Sequence, residues 1–342
     1  TLQAKTSPPA LATAPSVRLI HLSPAPPAHL LFFPPALWRT YAPNANYGLL
    51  SSHAKAPILD LQWSLTSPIL YSVSADHTLT YTHLTTGEKL RRIRAHREII
   101  NTLDRTMASG AGVELLATGS DDGTVKIWEG GDEAKKFPVA TFEIKCPVTA
   151  VAWSADGNSV YIGVIDNEIH VGSLFIPWRR SVSDVRTQVY DLRKQQEVYS
   201  LLGHTDTPTS LALSPDGNFL LSPSLSSQTL IHDVRPFSPS ATRIHRSLHG
   251  APAGFENTLL RGAWSKDDGG KRVAVGGADR MVCIWEVESS KILYKVCSSA
   301  SFFRISHSYP SQLPGHKGTV TAVDFHPKEP ISTFQLFFLE QF

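Results

Sequence analysis

The first 59 residues contain no Asp or Glu, and the 342-residue chain has almost no net charge, with 32 Lys and Arg against 30 Asp and Glu. That balance excludes a global basic field of the kind that holds nucleic acid unspecifically, so any RNA contact has to be local. Cysteine is scarce. Cys146, Cys283 and Cys297 contain no CxxC pair and make an odd total, which gives neither a disulfide framework nor a zinc site and fits a reducing compartment. No apolar run approaches the roughly 18 to 20 residues of a membrane span, because Pro34 and Pro35 break the best candidate. GxGxxG and Walker motifs are absent, and the 14 histidines do not cluster at metal-ligand spacing. Residues 1–36, rich in Pro and Ala, are expected to form a poorly ordered leader, since prolines do not suit the amphipathic helix of a transit peptide.

What is present is a repeat. Alternating apolar strands that end in Ser or His and a turn recur as ILDLQWS at 58–64, VTAVAWSADG at 148–157, TSLALSPDG at 209–217, LLRGAWSKDD at 259–268 and VTAVDFHP at 320–327. Period-two alternation marks strands with one face in a core. A second element places a strand, a turn with Asp, and a strand ending in an aromatic and an acid. LLATGSDDGTVKIWE at 115–129 and VAVGGADRMVCIWEV at 273–287 are the clear copies, with weaker ones at 70–83 and 220–233. His53, His96, His204 and His316 precede repeats.

These residues resemble the WD40-repeat family, whose units of about 40 to 45 residues each build one four-stranded propeller blade. The resemblance covers roughly residues 38–331 and implies an all-β, seven-bladed propeller over residues 37–342, with the first and last blades incomplete. It also implies a hydrogen-bonded tetrad of His96, Ser120 (or Thr118), Asp122 and Trp128. A Ser-His-Asp catalytic reading of the same residues fails, because a nucleophile needs exposure and an oxyanion hole. We therefore expect no enzyme, no catalytic or metal residue, no cofactor, and no small-molecule or membrane partner. Asp76, Asp166 and Asp279 repeat the acid, whereas the fifth repeat departs, with Ser227 expected in the Asp place and His232 in that of Trp.

Two stretches break the period. Trp128 and Tyr190 are 62 residues apart, against 46 and 42 for the flanking intervals. Removing 171–188 joins DNEIH to VYDLR, and removing 296–312 joins ILYK to LPGHKG. Both pieces begin with Val and end with Gln, whose codons supply the GT and AG of intron boundaries, so both read as retained introns; the alternative is surface loops.

Three features suit recognition. Arg91, Arg92, Arg94 and Arg97 crowd the end of one repeat, either as a solvated outer strand or as a site for acidic side chains or RNA phosphate. Arg235 and Phe237 share a Pro-rich turn, either as interface anchors or as a corner in which Phe237 covers the core. Phe255 and Glu256 replace the usual Gly-His start of the sixth repeat. Together, DVRPF (233–237), FENTLLR (255–261), YDLR (190–193) and DNEIH (166–170) resemble the branch of the WD40 family that serves the spliceosomal U5 particle. That resemblance implies a nuclear scaffold in pre-mRNA splicing, docking the large U5 core protein and its associated helicase, with RNA contact indirect or local. The alternative is a substrate-recognition subunit of a ubiquitin ligase or a G-protein β-like adaptor.

Overall fold

The computed structural model describes residues 17–20, 23–24, 36–39, 46–49, 53, 56–108, 112–131, 135–173, 197–238, 240, 242–254, 257–266, 268–296, 303–304, 319–325 and 331–338. Among them there are strands and turns but no helix. Five four-stranded antiparallel sheets follow one another along the chain. They comprise β5 (Ile58–Trp63), β6 (Ile69–Ser74), β7 (Thr78–His83) and β8 (Lys89–Arg94); then β9 (Ile100–Met107), β10 (Glu114–Ser120), β11 (Thr124–Glu129) and β12 (Ala140–Glu143). The third holds β13 (Val148–Trp153), β14 (Ser159–Val164), β15 (Ile169–Ser173) and β16 (Glu197–Leu201), and the fourth β17 (Ala212–Leu213), β18 (Phe219–Pro223), β19 (Gln228–Asp233) and β20 (Ile244–His249). The fifth holds β21 (Gly262–Trp264), β22 (Arg272–Gly276), β23 (Val282–Glu286) and β24 (Ile292–Val296).

Flanking strands make two further sheets. In one, β1 (Val17–Ile20), β3 (Ala36–Arg39) and β4 (Asn46–Leu49) are antiparallel. In the other, β27 (Ile331–Phe338) pairs antiparallel with β25 (Phe303–Arg304) and β26 (Val320–Phe325), and parallel with β2 (Ser23–Pro24). Thus β1 and β2 fall within residues 1–36. Of residues 171–188, the first three complete β15, opposite Tyr161, Val160 and Ser159; 174–188 lie outside the described residues, as do most of 296–312.

Each of the five sheets is a meander of sequential strands. The turn between its second and third strands has one left-handed residue: His77, Gly123, Asn167, Ser227 or Arg280. The apolar halves of the strands face neighbouring sheets, so the core is distributed between blades. Tyr71, Leu79 and Tyr81 of one sheet pack with Ile100, Leu103, Leu116 and Trp128 of the next, and Leu115, Val125 and Ile127 with Val151, Trp153 and Ile162. Burying each such side chain contributes roughly 1.5–3 kcal/mol.

Polar side chains on the innermost strands link the sheets in succession. Asp60 accepts from Leu103 N at 2.7 Å, and Asp104 from Trp153 N at 2.8 Å. Thr149 Oγ1 donates to Pro208 O at 2.6 Å, and Thr209 Oγ1 to Leu260 O at 2.7 Å. Arg261 N then donates to Thr321 O beside β26 at 2.7 Å. This succession of four-stranded antiparallel sheets, each hydrogen-bonded to the next, is that of a β-propeller. Arg261, at the entry to the fifth sheet, reaches the first, its guanidinium bonding Asp60 and donating to Leu59 O at 3.0 Å. Buried Glu114 locks the first two sheets from outside, accepting from Ser64 Oγ at 2.6 Å, Leu65 N at 2.8 Å and Tyr71 OH at 2.9 Å.

Candidate interaction surface

A four-stranded meander sends its first and third turns to one face and its second turn and exit to the other. The His-preceded exits and Asp-bearing second turns therefore share a rim, while the loops around Leu65, Phe137 and Phe237 share the opposite face.

On the His/Asp rim, His96 is buried, its Nδ1 3.1 Å from Asp122 Oδ2 and from Thr124 Oγ1. Its Nε2 lies 2.8 Å from Thr118 Oγ1, which accepts from Trp128 Nε1 at 2.9 Å. A carboxylate only accepts, so Nδ1 carries the proton. Burial pushes the His96 ring down to about 4 despite Asp122, which keeps it neutral at pH 7. Burial pushes the Asp122 carboxyl up, but the hydrogen bonds from Thr124, Arg97 N and His96 outweigh it and hold it below its ordinary value. The hydroxyl joining His and Trp thus belongs to Thr118, which corrects the placing of Ser120. Both side chains point to the same face of β10, but Ser120 is two residues nearer the turn, where its Oγ accepts from Asp122 N at 3.3 Å. The Thr118 hydroxyl is fully buried between His96 and Trp128.

The β5–β8 sheet repeats the arrangement with His53 Nε2 2.9 Å from Ser72 Oγ and Nδ1 3.1 Å from Asp76 Oδ2; Thr82 stands in the Trp register. In the β21–β24 sheet Val275 replaces the hydroxyl, and Trp285 Nε1 donates to His249 O at 3.1 Å instead. The β17–β20 sheet keeps His204 Nε2 on Ser222 Oγ at 2.6 Å. Here Ser226, not Ser227, occupies the Asp register: Ser226 N donates to Ser224 Oγ at 3.3 Å as Asp122 N does to Ser120 Oγ, and Ser227, with φ 63°, takes the left-handed place of Gly123. His232 in the Trp register is fully buried with neither ring nitrogen hydrogen-bonded, and its ring lies 5.6 Å from that of His204. Burial pushes His204 down to about 4 and His232 to about 3.

The arginine run is divided. Arg91 lies half-buried opposite Tyr81 on β8, and Arg92 donates to Asp76 Oδ2 at 2.8 Å. Arg94 and Arg97 are exposed, and Arg97 N donates to Asp122 at 3.0 Å. Arg235 and Phe237 sit on the opposite face, away from this run. Arg235 forks onto Asp233 at 2.9 and 2.6 Å and lies over the Phe219 ring at 5.6 Å. Its grip holds the Asp233 carboxyl down to about 2. Phe237 is 95% exposed, so it does not cover the core. Phe255 and Glu256 lie outside the described residues.

Sequence reasoning missed Phe137, 80% exposed in the corresponding loop of the β9–β12 sheet. An aromatic following two lysines in a polar loop was its signal. It also missed the Arg261–Asp60 bridge, whose members are 201 residues apart and carry no local pattern.

Comparison with known proteins adds the following. The family described as WD domain, G-beta repeat matches residues 87–129 and 195–240. The chain is 36% identical over 295 residues to pre-mRNA-splicing factor cwf17 of Schizosaccharomyces pombe, covering 86% of this chain and 73% of that protein. It is 34% identical over 296 residues to the U5 small nuclear ribonucleoprotein 40 kDa protein of Dictyostelium discoideum, covering 86% and 71%. Against the Homo sapiens protein of that name the identity is 35% over 246 residues, covering 72% and 57%.

Proposed function

The chain belongs to the WD40-repeat family that includes the U5 small nuclear ribonucleoprotein 40 kDa protein and cwf17, and on that premise we propose that it is a protein-interaction scaffold of the U5 particle acting in pre-mRNA splicing. The observation that carries this reading is the similarity to those proteins over 86% of the chain. The side chains support a scaffold without chemistry of its own: the acids, hydroxyls and histidines that look catalytic are used up in bracing blades. Its residence is the nucleus, where the spliceosome works.

The finer proposal is that it docks the large U5 core protein and its associated helicase. Phe237, with its backbone fixed by the Asp233–Arg235 fork, is the anchor we assign to one partner, since exposed aromatics on rigid turns bind with little loss of entropy. Arg94 and Arg97 serve the other face. RNA contact, if it occurs, is local to that run.

Affinity purification of the tagged protein from nuclear extract tests both levels. Recovery of U5 RNA with splicing proteins is the expected result, and cross-linking to the large core protein or helicase through residue 237 supports the finer one. Recovery of cullin components without U5 RNA would overturn the reading.

A further inference from the structure

On the His/Asp rim, two sheets complete each buried histidine with a carboxylate, and a third does not. His53 Nδ1 meets Asp76, and His96 Nδ1 meets Asp122, both at 3.1 Å. His204 is 9% exposed and bonded through Nε2 to Ser222, yet its Nδ1 is buried with no hydrogen-bond partner. The residue in the Asp register is Ser226, partly exposed, its Oγ 3.2 Å from Ser224 Oγ. Gln228, in the place of Thr124, turns away to donate to Ser247 Oγ at 2.8 Å. By register, the N–H groups of Thr205 and Gln228 stand where those of Arg97 and Thr124 donate to Asp122 at 3.0 Å. The sheet thus retains the donors of an anion site and lacks the anion.

We propose that Ser226 is a phosphorylation site whose phosphate takes the place beside His204 that an aspartate carboxylate fills in the neighbouring sheets. A serine bearing phosphate carries a charge of about −1.5 to −2 and three strong acceptors. Its oxygens reach about one bond further than those of Asp, toward Nδ1 and the two N–H groups, while the rest remains in solvent. The phosphoryl group comes from a nucleoside triphosphate through a protein kinase. Ser226 Oγ bonds to the γ-phosphorus, the bond from that phosphorus to the β–γ bridging oxygen breaks, the nucleoside diphosphate leaves, and the hydroxyl proton passes to solvent. Ser227 is not equivalent: its Oγ accepts from Ala253 N at 3.0 Å and its backbone is left-handed. Modification completes the brace of this sheet and adds negative charge to the rim that carries Arg94 and Arg97.

The test places genetically encoded phosphoserine at 226, and separately at 227, in the full chain. Phosphate at 226 is expected to raise the folded-to-unfolded ratio about tenfold in urea titration. It should also move the His204 titration midpoint, followed by ring 15N shifts, up by one unit or more. Phosphate at 227 should do neither, and Ser226→Asp should reproduce both effects in part. Equal effects at 226 and 227, or an unmoved His204, would overturn the proposal. So would protein purified from its source cells that carries phosphate on Ser227 alone or on neither serine, as read by mass spectrometry of the 218–230 segment.

Discussion

Lowering the pH from 7 to 5 puts a proton on every ordinary histidine of the unfolded chain, whose reference value is about 6.5, but not on His96, His204 or His232 in the fold. Burial holds these three at about 4, 4 and 3. A folded value below the unfolded one means that stability is complete above about pH 6.5 and is lost as the pH falls toward 4. Each such group contributes a slope of about 1.4 kcal/mol per pH unit. Burial also pushes the Asp104 carboxyl up to about 6, so there the folded state takes a proton first and opposes the trend by one. From these four groups the unfolded chain holds about two protons more between pH 6 and 5, and their contribution to stability should fall by roughly 3 kcal/mol, a large part of the 5–15 kcal/mol of an ordinary domain; His245, also lowered by burial, acts in the same direction. His232→Phe removes one of the three titrations together with two ring nitrogens that have no hydrogen bond, and keeps an aromatic ring beside His204. The slope should halve to about 1.4 kcal/mol per unit, with stability at pH 8 unchanged or slightly higher. Urea unfolding followed by tryptophan fluorescence at pH 8, 7, 6 and 5 measures both quantities. Parallel curves for the parent and His232→Phe would refute the reasoning.

Thr118→Val strands the His96 and Trp128 ring nitrogens and should destabilise by about 1–3 kcal/mol, whereas Ser120→Ala should stay near or below 1 kcal/mol; calorimetry that reverses this order contradicts the tetrad described above. Arg261→Met leaves buried Asp60 without its cation and should cost about 3–5 kcal/mol, partly recovered by Asp60→Asn in the same chain. Phe237→Ala should leave the unfolding midpoint unmoved while reducing recovery of U5 RNA from nuclear extract at least about tenfold if the ring is a hot spot; full recovery excludes that ring as the anchor. Sequencing the transcript should show 171–188 and 296–312 removed by splicing, and a mature message encoding both would reject the intron reading.

The sheets were legible where the strands carry their alternation in the chain. Residues 148–153 and 320–325, read as alternating strands, are strands, and the left-handed turn position recurs even where the residue is His77 or Arg280 instead of glycine. What the sequence hid lies across sheets. Thr118 and Ser120 share a strand face, so only the position of the Trp128 indole distinguishes them. Ser226 and Ser227 are adjacent, and backbone φ decides which takes the Asp register. Phe237 fits either a core-capping or an exposed place by composition, because neighbouring prolines and serines serve both. The Asp60–Arg261 pairing joins residues 201 apart, which no local window contains.

The alternation of the meander gives the molecule a thickness. Strands of five or six residues separate the His/Asp rim from the loop that carries Phe237 by roughly 20 Å at about 3.3 Å per residue. A molecule seated on one side and another on the opposite side therefore do not compete for area. In the proposed scaffold, the strand length sets the spacing between two such occupants.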